Sequence, residues 1–159
     1  MDIYEYAMKM EKDGEGLYRE LASKTGHKGL TSILGMLAEA EVKHYNLFRN
    51  MKNNEKVEMT DSTILNDVKN VFEKIREEKQ FEVDVSEIDL YREAQDIEKK
   101  SREFYLDKAD EAGSDKKEIF LKIAEEEKRH YFIVENIINF VNQPNTWLEN
   151  PEWYHLEEY

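Results

Sequence analysis

The sequence has no cysteine, only two prolines, six glycines and four histidines among its 159 residues. The absence of cysteine excludes disulfides, and it also excludes an iron centre held by four thiolates. The first proline is Pro144, so no proline interrupts a helix in the long stretch before it. Strand-type alternation of apolar and polar residues is not sustained anywhere, and we therefore expect an all-α protein.

Basic residues are scarce relative to acidic ones, since 23 Lys and Arg face 36 Asp and Glu, for a formal net charge of −13. No tract rich in lysine or arginine occurs, so neither nucleic acid nor an anionic membrane is expected as a partner. The sequence also lacks an apolar run long enough to span a bilayer and a cationic segment followed by an apolar stretch. We therefore expect a cytoplasmic protein, and the length suits one domain.

Apolar residues recur at helical spacing in four long segments. These segments predict helices near 2–25, 28–52, 86–112 and 115–142. Residues 53–85 are too many for a hairpin turn, and their apolar residues from Ile64 to Ile75 predict a further helix. Two helical hairpins joined by a long crossover are therefore expected, followed by an aromatic tail at 143–159 that docks on the bundle or on a sister subunit.

Two Glu-x-x-His motifs lie in apolar slots of the second and fourth predicted helices, Glu41 with His44 and Glu127 with His130. Residues three apart on a helix project side by side, so each pair can bind one ion together. A carboxylate and an imidazole at positions that suit leucine are costly unless they are paired or coordinated. Each motif is therefore a candidate metal site.

The first and third predicted helices share a second pattern, a glutamate with a tyrosine seven residues away on either side. The two copies are Tyr4, Glu11, Tyr18 and Tyr91, Glu98, Tyr105. The copies are 87 positions apart (91 minus 4, 98 minus 11, 105 minus 18). At a rise of about 1.5 Å per residue, each glutamate comes level with the Glu-x-x-His of its own hairpin. The six ligand candidates that converge on one layer are Glu11, Glu41, His44, Glu98, Glu127 and His130.

This set, one glutamate from each of two helices and Glu-x-x-His from each of the other two, resembles the ferritin-like di-iron proteins. Four segments are similar to the ferritin-like domain of rubrerythrins: AMKMEKDGEGLYRELA, LAEAEVKHYNLF, AQDIEKKSREFYLDKA and IAEEEKRHYFIVENI. The resemblance implies a ferritin-like four-helix bundle over residues 1–142, with the crossover at 53–85. It also implies two iron ions, or manganese, and reduction of hydrogen peroxide with electrons from an external donor such as a rubredoxin-type protein.

The resemblance further implies roles for individual residues. Glu41 and Glu127 are expected to bridge or chelate, Glu11 and Glu98 to be terminal ligands, and His44 and His130 to hold one ion each. Tyr18 and Tyr105 stand where tyrosines of the family hydrogen-bond near the iron site, which makes them the catalytic candidates. Tyrosines that serve only the core, with a satisfied hydroxyl, are the alternative.

Two departures from rubrerythrins leave the activity open. Rubrerythrins with peroxidase activity carry a further carboxylate close to the third-helix ligand, whereas Ser101 and Arg102 stand one turn after Glu98 here. The four-cysteine iron centre that many of them use for electron delivery is absent as well. A ferritin-like iron-oxidising storage or carrier protein is therefore the alternative, and a metal-free helical interaction domain is a third. Storage requires a hollow shell, whereas a homodimer suffices for, and is expected of, a peroxidase.

Other polar residues are expected to have structural or solvated places. His27 and His155 fall in a turn and in the tail, where we expect solvated histidines that bind no metal. Glu125 and Glu126 are expected on a solvated helix face. Gly14, one turn from Glu11, is expected to let helices cross without a clash, and room for dioxygen or peroxide is the alternative.

Overall fold

The computed structural model describes residues 2–78 and 86–144, and these contain five α-helices and no strand. The helices are α1 (Ile3–Lys24), α2 (Lys28–Lys52), α3 (Ile64–Glu77), α4 (Ile88–Lys108) and α5 (Ser114–Asn142). A single 3₁₀ turn, Asp110–Ala112, follows α4. None of the described helices combines the length and the apolar run that a bilayer span requires. The prediction of an all-α fold is confirmed.

The first hairpin is formed by α1 and α2, and the second by α4 and α5. Each helix packs mainly against its partner in the hairpin, while α1 against α4 and α2 against α5 join the two hairpins. This is the expected ferritin-like helical bundle. The observed helix ends lie within about two residues of the predicted ones, except that α4 ends at Lys108, because the chain tightens there into the 3₁₀ turn.

The crossover between the hairpins contains α3, as the apolar spacing predicted, and α3 buries Val68, Phe72 and Ile75. A Cβ atom built on Gly29 would lie 2.6 Å from Ile75 Cδ1, so glycine at the start of α2 lets α3 approach closely. Residues 79–85 of the crossover lie outside the described residues. The same is true of residues 145–159, and the docking of the aromatic tail stays a prediction.

Two apolar clusters fill the two ends of the bundle, one containing Leu37 and Ile133 and the other containing Phe48 and Ala124. Along α2, Leu37 belongs to the first cluster and Phe48 to the second. Along α5 the order is reversed, since Ala124 belongs to the second cluster and Ile133 to the first. The two Glu-x-x-His motifs occupy these intervals. The fold therefore holds the glutamates and histidines of the two motifs in a layer that has an apolar cluster on either side.

The expectation that His27 is solvated is wrong. Its side chain is only 7% exposed, and its Nδ1 accepts a hydrogen bond of 3.3 Å from the Leu30 backbone N–H at the start of α2. The ring also packs edge-on against Phe140. Histidine replaces the usual short polar cap at this helix start, and burial lowers its pKa. Its neutral ring is the form that accepts this bond.

Candidate metal centre

All six predicted ligands converge on one buried layer, and each is at most 2% exposed. Within the described residues they form two groups, and in each group the ligand atoms lie within 4.8 Å of one another. One group is Glu11, Glu41, His44 and Glu127, and the other is Glu41, Glu98, Glu127 and His130. Glu41 and Glu127 belong to both groups. This sharing is the arrangement expected of two adjacent ions with carboxylates between them.

The Nδ1 atom of each histidine faces the carboxylates of the layer. The distances are 2.9 Å from His44 to Glu127, 3.5 Å from His44 to Glu11, 3.4 Å from His130 to Glu41 and 3.6 Å from His130 to Glu98. The two rings are nearly parallel, with centroids 5.8 Å apart and an angle of 12° between their planes. Both histidines therefore direct the same ring atom into the layer from neighbouring positions.

Many polar atoms of this layer have no hydrogen-bond partner. They include Glu11 Oε2, Glu41 Oε1, Glu98 Oε2, both carboxylate oxygens of Glu127, and Nδ1 of both histidines. The contact between His44 Nδ1 and Glu127 Oε1 is short at 2.9 Å, yet neither atom has a hydrogen-bond partner. An unsatisfied buried polar atom costs about 1–3 kcal/mol. Cations bound between these atoms would satisfy them, and an oxygen and nitrogen donor set without thiolate suits iron or manganese.

The carboxylates of the layer differ in their acid–base properties in the absence of a cation. Burial, and then the charge of Glu11, raises the pKa of Glu41 and of Glu127 well above its ordinary value. Burial acts on Glu98 in the same sense, but the charge of His130, whose Nδ1 lies 3.6 Å from the Glu98 carboxylate, outweighs it and lowers the pKa of Glu98 to about 2. A cation bound at the shared pair would therefore compete with protons for these carboxylates.

Tyr18 and Tyr105 hydrogen-bond to the layer, and each reaches across to the other hairpin. The Tyr18 hydroxyl donates to Glu98 over 2.6 Å, and the Tyr105 hydroxyl donates to Glu11 over 2.8 Å. Burial, and then the neighbouring carboxylates, raises the pKa of both tyrosines well above 10. Both hydroxyls therefore keep their protons and hold Glu98 and Glu11 in place.

Gly14 lies against one of the shared carboxylates. A Cβ atom at this position would lie 3.1 Å from Glu41 Oε2. The space beside the glycine is thus taken by the Glu41 side chain where α1 and α2 pack together. The finding agrees with a role in close helix packing, and it adds that the group brought close is a candidate metal ligand.

The expectation that Glu126 lies on a solvated face is wrong, although its neighbour Glu125 is exposed as expected. Glu126 is 6% exposed, and its Oε2 lies 2.8 Å from His44 Nε2. Burial alone would raise the pKa of Glu126, but the hydrogen bond and charge of His44 lower it. The signal was present in the sequence, because Glu126 stands seven residues after Ile119 and seven before Ile133 on a buried stripe.

No seventh carboxylate joins the two groups within residues 2–78 and 86–144. The position one turn after Glu98 is Ser101, whose side chain is buried. The departure from peroxidase-active rubrerythrins that the sequence indicated therefore persists in the fold.

A family model for rubrerythrin matches residues 2–138, which include all six candidate ligands and both tyrosines. The chain belongs to the rubrerythrin family. No curated protein and no solved structure matches the chain at a significant level. Rubrerythrins typically hold two iron ions, and the two buried Glu/His groups have the residues to hold them. The ligand roles of the individual residues and the identity of the metal stay predictions.

Proposed function

We propose that this rubrerythrin family member is a di-iron oxidoreductase that reduces hydrogen peroxide to water with electrons from a separate protein. One observation carries the proposal. Two buried groups of ligand atoms share Glu41 and Glu127, so that two ions would lie side by side at one site. Two ions held there by these residues would supply Lewis acidity and redox chemistry to a small oxidant.

Reduction of one hydrogen peroxide breaks its O–O bond and takes up two electrons and two protons to give two waters. Iron supplies the electrons and the positive charge that stabilises the developing oxide. The protein holds the ions, positions their ligands and excludes bulk water. Four carboxylates and two imidazoles hold the ions, Tyr18 and Tyr105 fix the two terminal glutamates, and the apolar clusters on either side keep bulk water out.

A small oxidant can approach the outer side of the layer from one side of the bundle. A cavity of about 570 Å³ lies between α2 and residues 58–64, and His44 and Glu126 are part of its lining. A molecule of the size of hydrogen peroxide or dioxygen fits this space easily. The ligand layer itself is buried, so a large substrate could not approach it. The cavity therefore supports a small solute as the substrate.

The electron donor is proposed to be external, such as a rubredoxin-type protein, because the sequence has no cysteine to hold a thiolate-bound iron centre. A homodimer is the proposed assembly. Manganese in place of iron remains compatible with the donor set, and metal analysis of protein purified without oxygen distinguishes the two.

An iron-oxidising storage or carrier protein is the second candidate, and the buried Ser101 favours it. Peroxidase-active rubrerythrins have a carboxylate near this position, whereas a serine hydroxyl there supplies no negative charge to a ferric ion. In this alternative dioxygen is the oxidant, and ferric iron leaves the site as mineral or cargo.

The deciding experiment compares two oxidants on the same Fe(II)-loaded protein. We expect hydrogen peroxide to oxidise the iron faster than dioxygen does, in a rapid-mixing measurement under matched concentrations. We also expect repeated turnover of peroxide when a reductase and a rubredoxin-type donor are supplied. Gel filtration with light scattering should give a dimer.

The same measurements can overturn the proposal. A faster reaction with dioxygen, accumulation of ferric mineral and a large shell on sizing would establish storage instead. Absence of bound iron and manganese, with no change in melting temperature on adding either ion, would refute both candidates and leave a metal-free interaction domain.

A further inference from the structure

Glu126 is a buried carboxylate that lies outside the ligand layer. It is carried by α5 next to Glu127, yet its side chain lies on the outer side of the two histidines. Its Oε2 is 2.8 Å from His44 Nε2 and 4.0 Å from His130 Nε2. A single carboxylate oxygen therefore faces the outer nitrogen of both rings, with the shorter contact to His44.

The two nitrogens of each ring have different surroundings. On His44, Nδ1 faces carboxylates of the layer and Nε2 faces Glu126. A neutral imidazole carries its proton on one nitrogen and keeps a lone pair on the other. An ionised carboxylate can only accept, so a hydrogen bond to Glu126 requires the proton on Nε2 and leaves the Nδ1 lone pair for an ion.

We propose that Glu126 is a positioning residue that fixes the tautomer and ring orientation of His44 for metal binding, with a weaker hold on His130. Carboxylates that accept from the outer N–H of a metal-binding histidine orient the ring and increase its basicity. The inference rests on the proposed metal centre, but not on peroxide as the oxidant.

Glu126 does not fill the place of a missing ligand. The groups of candidate ligand atoms within the described residues do not contain it, and it contacts the ring nitrogen that points away from the layer. An ion bound at Nδ1 of His44 therefore has the whole ring between itself and Glu126.

The crossover contributes to the position of Glu126. Ser62, which precedes α3, lines the same cavity as Glu126, and its hydroxyl helps to lower the pKa of this carboxyl. The Ser62 hydroxyl oxygen in turn accepts from the Ile64 backbone N–H over 3.2 Å at the start of that helix. A chain of contacts thus runs from the crossover through Glu126 and His44 to the metal layer.

The test compares Glu126→Gln and Glu126→Ala with Glu125→Gln, an exposed neighbour on the same helix. The 159-residue chain is titrated with Co(II) and Fe(II) under anaerobic conditions. Loss of such an outer carboxylate typically weakens metal binding by about 10- to 100-fold, and we expect this for one of the two ions in Glu126→Ala. Glu126→Gln keeps an acceptor oxygen without the charge, so its metal affinity should lie between that of the wild type and that of Glu126→Ala.

Proton NMR of the Co(II) protein supplies a readout that a purely structural role would not move. Ring N–H protons of bound histidines give shifted, exchangeable signals, and we expect the His44 signal to exchange faster in Glu126→Gln and to be lost in Glu126→Ala. The His130 signal should change less, and Glu125→Gln should leave both unchanged. Both variants binding two ions with wild-type affinity and unaltered N–H signals would overturn the proposal.

This outcome is separable from a failure of the proposed function. If the protein binds two ions and Glu126 protects the ring proton, the inference stands even where dioxygen proves to be the oxidant. If Glu126→Ala does not fold, Glu126→Gln alone decides, because it preserves the volume of the side chain.

Discussion

The two hairpins supply the same inner side chains to the metal layer but different outer ones. Glu41 and His44 of the first hairpin recur as Glu127 and His130 of the second, 86 positions later (127 minus 41, 130 minus 44). The residue before the shared glutamate differs, because Ala40 in the first hairpin corresponds to Glu126 in the second. The duplication is therefore closely kept at the candidate ligands and broken one residue away.

This break makes the two histidines inequivalent. Nε2 of His44 has a carboxylate at 2.8 Å, whereas Nε2 of His130 has the same oxygen at 4.0 Å and no hydrogen-bond partner. A second glutamate at position 40 would bring another negative charge into a region already rich in carboxylates. One outer carboxylate that serves both rings limits that repulsion.

The largest expected effect comes from the two shared glutamates, where the hairpins are most alike. Glu41→Ala or Glu127→Ala removes an atom set common to both groups, so each variant should lose both ions rather than one. Metal content per chain measures this directly. Replacement of a terminal ligand, as in Glu11→Ala or Glu98→Ala, should remove roughly one ion because each belongs to a single group.

Glu125→Ala is the matched control for this prediction, since Glu125 is exposed and lies on the same helix as Glu127. Its metal content should equal that of the wild type. Equal losses at Glu125 and Glu127 would mean that acidic surface residues, not the buried layer, hold the metal.

The inner residues could be predicted from the sequence because their signal is periodic. Glu41, His44, Glu127 and His130 interrupt apolar stripes, and the tyrosine-flanked glutamates repeat at a fixed offset. Glu126 was missed because it stands in a run of three glutamates, where two signals compete. The run of charges predicts a solvated helix face. The seven-residue spacing from Ile119 predicts a buried one.

The partnering of the tyrosines could not be predicted for a different reason. Tyr18 contacts Glu98 and Tyr105 contacts Glu11, each across to the other hairpin. A stripe on one helix shows which residues share a face, but it does not tell which neighbouring helix that face meets. The burial of His27 could not be predicted for the same reason, because its ring packs against Phe140, which lies far along the chain.

The pH dependence of stability should distinguish the shared glutamates from Glu98, because the fold shifts their pKa values in opposite directions. The pKa of Glu41 and of Glu127 is raised above 4.5 in the fold, so the metal-free protein loses stability as the pH rises above that value. The raised pKa of His44 acts in the same direction above 6.5. The lowered pKa of Glu98 instead gives stability that is lost as the pH falls from 4.5 through about 2.

We therefore expect the melting temperature of metal-free protein to fall as the pH rises above 4.5, the ordinary pKa of a glutamate, and that of metal-loaded protein to fall much less. Calorimetry on both forms measures the difference. Glu41→Gln should reduce the slope of the metal-free protein, because it removes one group whose pKa is raised. A metal-free protein that gains stability over this range would contradict the assignment of protons to the shared pair.

Smaller effects are expected from the tyrosines, which test whether the two crossed hydrogen bonds are equivalent. Tyr18→Phe and Tyr105→Phe each remove a hydroxyl that donates to a terminal glutamate. Each should lower the free energy of unfolding by about 1.5–3 kcal/mol, as loss of a hydrogen bond to a charged group does. Both variants should keep two ions while the rate of iron oxidation by peroxide changes.

Tyr4→Phe provides a comparison for these two variants, because Tyr4 belongs to the same pattern but its hydroxyl donates to the Ala112 backbone carbonyl over 3.4 Å. Its effect on the oxidation rate should be negligible. Loss of metal in Tyr18→Phe or Tyr105→Phe would show that these hydroxyls hold the site together rather than tune it.

The smallest expected effect is at Gly14, which corresponds to Ser101 in the second hairpin (101 minus 14 is 87). In Gly14→Ala the added methyl group would lie 3.1 Å from Glu41 Oε2, so this carboxylate must move by a few tenths of an ångström. The flexible end of Glu41 can yield, and alanine favours the helix by about 1 kcal/mol, so stability without metal should change little. Metal binding should weaken instead, because Glu41 is shared by both groups.

Gly16→Ala separates these two contributions, since a Cβ atom there meets nothing within 4 Å. It should raise the melting temperature slightly through helix propensity and leave metal affinity unchanged. If Gly14→Ala matches it in both measurements, Glu41 accommodates the methyl group freely, and the glycine serves helix packing alone. If metal affinity falls only in Gly14→Ala, the first hairpin uses glycine to admit a shared ligand at a position where the second hairpin tolerates serine.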